Sequence, residues 1–262
     1  MEIAEAAPPA AVWRRHLPGA ITIGALLAAW QLVSWTLLAE AHLLPGPVEI
    51  AAGVVRDWHL YPRNIGATVS VAVRGFFFGN LIAIALAFIC ILIPQSERPI
   101  MQVAVVAYAV PLLAIAPILV VLFEGDRARV ILSALSVFFT TLVGTHTGLR
   151  QADRTSLDVV AAYGGGRYAQ LIKVRIWVCL PYLSAALGIA APTTLLGAII
   201  AEFLGADRGL GIALVVSEQN LNSVRTLGIG IVAATIAGIA YWLVGLISEW
   251  ATPWAPASGS SQ

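Results

Sequence analysis

The sequence predicts an all-α, polytopic membrane protein with six transmembrane helices. Three observations carry that expectation. Of 262 residues, 59% are hydrophobic and only 11% are charged, with a mean hydropathy of +0.87, whereas a soluble domain carries about 25% charged residues. The apolar residues fall into six long runs almost free of charge. These runs are continuous rather than alternating, which excludes the strands of a membrane barrel. A net charge of +1 also lacks the basic footprint of a nucleic-acid binder.

A helix needs about 20 apolar residues to cross the hydrocarbon, because each residue rises only about 1.5 Å. Pro18 to Ala39 supplies 22 uncharged residues, longer than a signal peptide's apolar core. A retained first span near 18–39 is therefore expected, after an N-terminal segment at 1–17. Gly75 to Ser96, with the apolar stretch before Arg74, predicts a second span near 66–93. Arg74 is expected to snorkel from its outer end to the headgroups. Further runs predict spans near 99–123, 130–149, 180–204 and 226–248, within one transmembrane domain at 18–250. The Pro-, Ser- and Ala-rich stretch at 251–262 is expected to be a flexible tail. Cys90 and Cys179 sit in or beside apolar runs and read as small buried residues, not a disulfide. His146 has no second ligand in view, so no metal site is expected.

Six spans place both termini on one side, together with the segment from Arg150 to Arg175. That side carries Arg14, Arg15, Arg98, Arg150, Arg154, Arg167, Lys173 and Arg175, against Arg56, Arg63, Arg127, Arg129, Arg208 and Arg225 on the other. The positive-inside rule then predicts that the termini and the long segment are cytoplasmic.

Plain anchors would need few helix breakers, yet the chain holds 23 Gly and 14 Pro. Pro111 and Pro117 fall inside the third run, which is therefore expected to be kinked or unwound there. Such a break is either tolerated with neighbours satisfying the freed carbonyls or lines a pathway. Glu202 ends the fifth run, and Gly205, Gly209 and Gly211 behind it predict an irregular turn. A carboxylate at that depth either pairs with a basic side chain or faces a water-filled path.

The segment between the fourth and fifth runs is the richest in signal. It predicts two short amphipathic helices over about 153–176, joined at Gly164–Gly166. Asp153 or Thr155 would cap the first. Tyr168, Leu171, Ile172 and Ile176 would share a face of the second. A helix–glycine elbow–helix can dock in a partner's groove.

In this segment the sequence resembles the membrane subunits of binding-protein-dependent ABC importers. Their cytoplasmic EAA motif has an acidic residue, two alanines, three residues and a glycine. Asp158 and Gly164 fall on the acidic and glycine positions, and Arg167 and Tyr168 suit the run that follows. Val159 and Val160 replace the alanines, and Ile176-Trp177 a Leu-Pro, while a second Leu-Pro is kept as Leu180-Pro181. Ala109 to Ile118 and Ala201 to Gly211 resemble the third- and fifth-span signatures of the taurine, sulfonate and nitrate branch. Leu44-Pro-Gly-Pro47 resembles its element after the first span.

The resemblance implies a type I ABC importer permease fold in the bacterial inner membrane. It implies two membrane subunits, alike or different, two cytoplasmic ATPase subunits and an extracytoplasmic solute-binding protein. Asp158, Ala161, Ala162, Tyr163, Gly164, Gly165, Arg167 and Tyr168 would form the ATPase-coupling surface. Pro111, Pro117, Glu202 and Gly205 would belong to the translocation path or its gate. The substrate would be a small solute, a sulfonate, nitrate, aromatic carboxylate or similar anion. The chain has no phosphate-binding Gly-rich loop with a Lys, and Lys173 is its only lysine. It is therefore expected to be no enzyme and to bind no cofactor, with ATP and Mg held by the partner. The competing readings are a carrier driven by an ion gradient, which should ignore vanadate, and a membrane scaffold without transport.

Overall fold

Apolar runs of this length close their backbone hydrogen bonds within themselves, as a segment without water must. The computed structural model describes residues 10–36 and 45–254, and it is helical almost throughout, with no strand among the described residues. The helices are α1 (Ala10–Thr36), α2 (Pro47–Arg56), α3 (Tyr61–Leu92), α4 (Glu97–Ala109), α5 (Leu112–Leu122) and α6 (Arg127–Arg150). They continue with α7 (Arg154–Ala162), α8 (Arg167–Gln170), α9 (Ile176–Glu202), α10 (Leu210–Gln219) and α11 (Ser223–Ala251).

Four helical stretches are long and apolar enough to cross a membrane: Trp58–Leu92, Arg127–Arg150, Arg167–Glu202 and Ser223–Ala251. A fifth is formed by α4 and α5, bent by 96° at their junction. Of the expected first span, α1 ends at Thr36 and residues 37–39 lie outside the described residues. Among the described residues, four or five spans are long and apolar enough, where the sequence predicts six. The expected tail lies largely outside them as well, at 255–262.

Three boundaries differ from expectation. The second span starts near Trp58 rather than 66, because Pro62 opens α3 and the helix runs on through Arg63 and Arg74. The fifth starts at Arg167 rather than 180, because α8 passes through a single wide turn at Leu171–Arg175 straight into α9. The second coupling helix is therefore the opening of a span and not a separate element. Its expected common face divides: Leu171 is buried and Ile176 packs on the core, while Tyr168 and Ile172 are exposed.

Two compact units make up the chain. One comprises Met1–Trp58 with Ser217–Gly228. In it the backbone N–H of Val48 donates to Gln31 Oε1 at 3.1 Å, and Arg225 Nε donates to Asp57 Oδ2 at 2.7 Å. The other comprises His59–Val216 with Ile229–Gln262. There α6 lies against both α3 and α9, around Ala83, Ala87, Leu142, Leu149, Leu171 and Cys179. Both cysteines are free and buried.

Small residues make that close packing possible. Gly75, Gly79, Ala83 and Ala87 recur every fourth residue along α3 and are all buried. Where no hydrophobic force drives helices together, close backbone approach and interhelical hydrogen bonds take its place. Thr141 Oγ1 donates to Asn80 Oδ1 at 2.5 Å, and Ser133 Oγ to the Thr194 carbonyl at 2.9 Å. A Cβ on Gly79 would strike the Ala134 backbone and Val137 of α6. Gly79→Val should therefore cost about 1–3 kcal/mol through overpacking. Thermal unfolding in detergent should show a clear drop in Tm for it, and almost none for Gly238→Val, where a Cβ meets open space.

Candidate functional site

The turn after α9 is built around a buried carboxylate. A helix leaves its first backbone N–H groups without intrahelical partners, and at the start of α10 they are met by side chains from elsewhere. Gly211 N–H donates to Glu202 Oε2 at 2.8 Å, Leu210 N–H to Thr68 Oγ1 at 2.8 Å, and Gly209 N–H to Asn64 Oδ1 at 3.0 Å. The Thr68 hydroxyl in turn donates a hydrogen bond to Glu202 Oε2 at 2.9 Å. Asn64 and Thr68 are one turn apart on α3, so a single helix face reaches both groups. Glu202 is fully buried, and its Oε1 has no hydrogen-bond partner among the described residues.

Glu202 forms no ion pair with a basic side chain among the described residues, and it is fully buried within this chain. It binds helix-end donors and threonine instead. The expected irregular turn is present, with Gly205 and Gly209 at φ 132° and 134°. A side chain on Gly209 would meet the Glu202 carboxyl group and would be strained at that φ, so a substitution there disturbs the clasp. Gly211 lies inside α10, not in the turn.

Pro111 sits at the break between α4 and α5, where the backbone turns extended (ψ 122°) and its carbonyl accepts from Ala114 N–H at 2.9 Å. Pro117 lies inside α5 without breaking it. The α5 segment meets the end of α9 through Ala116, Leu132 and Ala201, with Leu112, Leu119 and Leu204 around them. The structure thus brings the helix break and the Glu202 turn into one neighbourhood.

Arg74 corrects a second expectation. It lies within α3 rather than at its end. It donates to Ser70 and pairs with Asp126 at 2.9 Å, while Arg129 holds the other carboxylate oxygen at 2.7 Å. The hydrogen bond from Arg74, helped by the charges of Arg129, Arg74 and Arg208, holds the Asp126 carboxyl below its ordinary value against desolvation.

The elbow between α7 and α8 forms the other candidate surface. Asp153 caps α7 by accepting from Ser156 N–H at 3.3 Å. The helix ends in a 6→1 and 5→2 pair of hydrogen bonds, Gly165 N–H to Val160 O at 2.9 Å and Gly164 N–H to Ala161 O at 2.8 Å. This ending needs a left-handed residue, and Gly164 supplies it at φ 78°. Asp158, Ala161, Ala162, Tyr163, Gly164, Arg167 and Tyr168 are all exposed and Gly165 half-buried. Tyr163 is 90% and Tyr168 68% exposed, two aromatic rings presented at one elbow.

Residues 79–255 match the family described as the binding-protein-dependent transport system inner membrane component. The chain belongs to this family. The permease is 26% identical to a probable ABC transporter permease protein of Haemophilus influenzae, over 77% of this chain and 82% of that one. It is 28% identical to a riboflavin transport system permease protein of Chloroflexus aurantiacus, covering 89% and 88%. With a putative aliphatic sulfonates transport permease protein of Bacillus subtilis it shares 21% identity over 85% and 81%. Its fold matches a crystal structure of a bacterial ABC transporter involved in the import of the acidic polysaccharide alginate, at a TM-score of 0.63 and 11% identity, covering 92% and 99%. The permease is thus a multi-pass membrane subunit of a binding-protein-dependent ABC importer. Its relatives are transport permeases, in keeping with a chain that performs no chemistry of its own.

Asn64, Thr68 and Asp126 escaped the sequence reading. A polar pair four residues apart ahead of Arg74 was the available signal for the first two.

Glu202→Ala leaves the Thr68 hydroxyl and the Gly211 N–H without an acceptor, at about 1–3 kcal/mol for each group left unpaired. A lower Tm and faster proteolysis within residues 203–209 are the expected results. The Asp126 link carries a pH signature. With its folded pKa below the unfolded value of about 3.9, it stabilises the fold above that pH and is lost as pH falls through the lower folded value. Tm measured from pH 7 down to pH 3 should therefore fall further for the wild type than for Asp126→Asn.

Proposed function

We propose that this permease forms half of the translocation path of an ATP-driven importer for a small solute, a sulfonate, nitrate, aromatic carboxylate or similar anion. A separate ATPase drives it through the elbow at residues 153–176. The exposed elbow carries the reading. It presents Asp158, Ala161, Ala162, Tyr163, Gly164, Gly165, Arg167 and Tyr168 from a rigid, capped turn, and α8 continues without a break into the span that ends at Glu202. A push on the elbow is then transmitted along one continuous helical stretch of 36 residues. That suits rigid-body rocking between inward- and outward-open states.

On this reading α1 completes a set of six spans, and both termini and the elbow face the cytoplasm. Two membrane subunits, alike or different, stand over two ATPase subunits that hold ATP and Mg, and an extracytoplasmic binding protein delivers the solute. Pro111, Pro117, Glu202 and Gly205 form the gate: the α4–α5 break gives a hinge, and the clasped turn behind α9 gives a fixed anchor. The anion class is supported by the resemblance to the sulfonate and nitrate branch and by the sulfonate permease among the relatives.

Gly164→Arg tests the elbow. The left-handed conformation costs about 1–2 kcal/mol for a residue with a side chain, and asparagine tolerates it best. In proteoliposomes holding the full complex, Gly164→Arg should remain in the membrane while binding-protein-stimulated ATP hydrolysis falls by an order of magnitude or more. Gly164→Asn should retain most of it. Undiminished stimulation in Gly164→Arg would overturn the coupling role.

A further inference from the structure

A cavity of about 330 Å³ opens beside the first turns of α3, lined by Arg63, Gly66, Ser70, Asp126, Arg129 and Arg208 among others. Three guanidiniums and one carboxylate face it, a net charge of +2 before Arg74 is counted. The single carboxylate is already shared, since Asp126 binds both Arg74 at 2.9 Å and Arg129 at 2.7 Å. Arg63 and Arg208 are exposed and form no hydrogen bond or ion pair among the described residues. A shell of like charges in a recess focuses the local field and draws counter-ions to it. Guanidinium forks match the oxygen edges of sulfonates, carboxylates and phosphates two at a time. The volume suits a small solute, at the lower end of ordinary ligand pockets.

We infer that this cavity is a binding site for a small oxyanion, held by Arg63, Arg129 and Arg208, with Asp126 as a tethered competitor that occupies Arg74 and Arg129 when the site is empty. An arriving anion takes over part of the positive charge that Asp126 holds. Releasing the anion returns Arg129 to Asp126, so the occupant is captured without being trapped. The cavity lies at the end of α3 far from the elbow in sequence, on the side that the importer reading makes extracytoplasmic. That the occupant is transported cargo rests on that reading; that the cavity binds an oxyanion does not.

The full chain in phosphatidylcholine nanodiscs, titrated calorimetrically with methanesulfonate at constant ionic strength, tests the site. Saturable binding is expected, weakened at least tenfold in Arg63→Ala/Arg208→Ala. Both residues are exposed, so the fold should survive the change, which an unshifted Tm would verify. Asp126→Asn should tighten binding several-fold by freeing Arg74 and Arg129. No saturable binding by the wild type, or equal binding by the double variant, would overturn the site. Exchange of the lipid for phosphatidylglycerol separates the sources of the anion. Unchanged affinity supports a solute from solution, whereas abolished binding would assign the cavity to a lipid headgroup and overturn a solute site. Binding-protein-stimulated ATP hydrolysis by the reconstituted complex reads the importer separately. Stimulation that persists while methanesulfonate fails to bind would sink the site alone. Binding that persists where the complex shows no such stimulation would sink the importer reading and leave the site standing.

Discussion

Every backbone N–H and carbonyl that loses its helical partner needs another, most strictly inside a membrane, and the places where this chain stops being helical are governed by that rule. Three breaks matter, and each is closed by a different device. At Pro111 the proline brings no N–H, and its carbonyl is taken up by the first turn of α5. At Gly164 the chain satisfies its own last carbonyls through a left-handed glycine. Behind α9 the donors of α10 are met from outside by Asn64, Thr68 and Glu202. The first break is closed by local backbone bonds from Val110, Ala114 and Ile115 N–H. The third is pinned by four hydrogen bonds, three of them to α3, far away in sequence.

The same economy explains the helix faces. In the unit containing α3, α6 and α9, facing surfaces are lined by Gly, Ala, Ser and Thr, and hydroxyl-to-carbonyl bonds cross between them. Large apolar residues are displaced outward, as Val121 and Leu122 on α5 or Trp242 and Ile247 on α11 illustrate. Only 11% of the apolar window of Ser223–Ala251 is buried within the chain, a surface suited to lipid or a second subunit. Charges that stay near the spans are paired or clustered: Arg74 and Arg129 on Asp126, Arg150 on Glu97.

Much of this was legible in the sequence. Long uncharged runs give helices, since no other element suits lipid, and the glycine trio at 164–166 gave the elbow. The break at Pro111 followed from the missing N–H. Span ends were misplaced because hydropathy stops at the first charge, whereas a helix runs on through Arg63 and Arg74 if its backbone bonds are met. The partners of Glu202 were not legible for a different reason. Thr68 is 134 residues away, and only the packing of α3 beside α9 brings them together. The Pro117 break failed because α5 continues through that proline.

On the importer reading, the Tyr163 elbow is where an ATPase subunit takes hold. The two native cysteines are buried, so a single cysteine at Ala162 or Tyr163 becomes a clean reporter in membranes carrying the full complex. Cross-linking through a short bifunctional reagent should join Ala162→Cys or Tyr163→Cys to the ATPase subunit, with a yield that changes when ATP and vanadate are added. A cysteine at Glu124, on the opposite side of the fourth span, should give no such product. Cross-links to the ATPase from Glu124→Cys and none from the elbow would contradict the account.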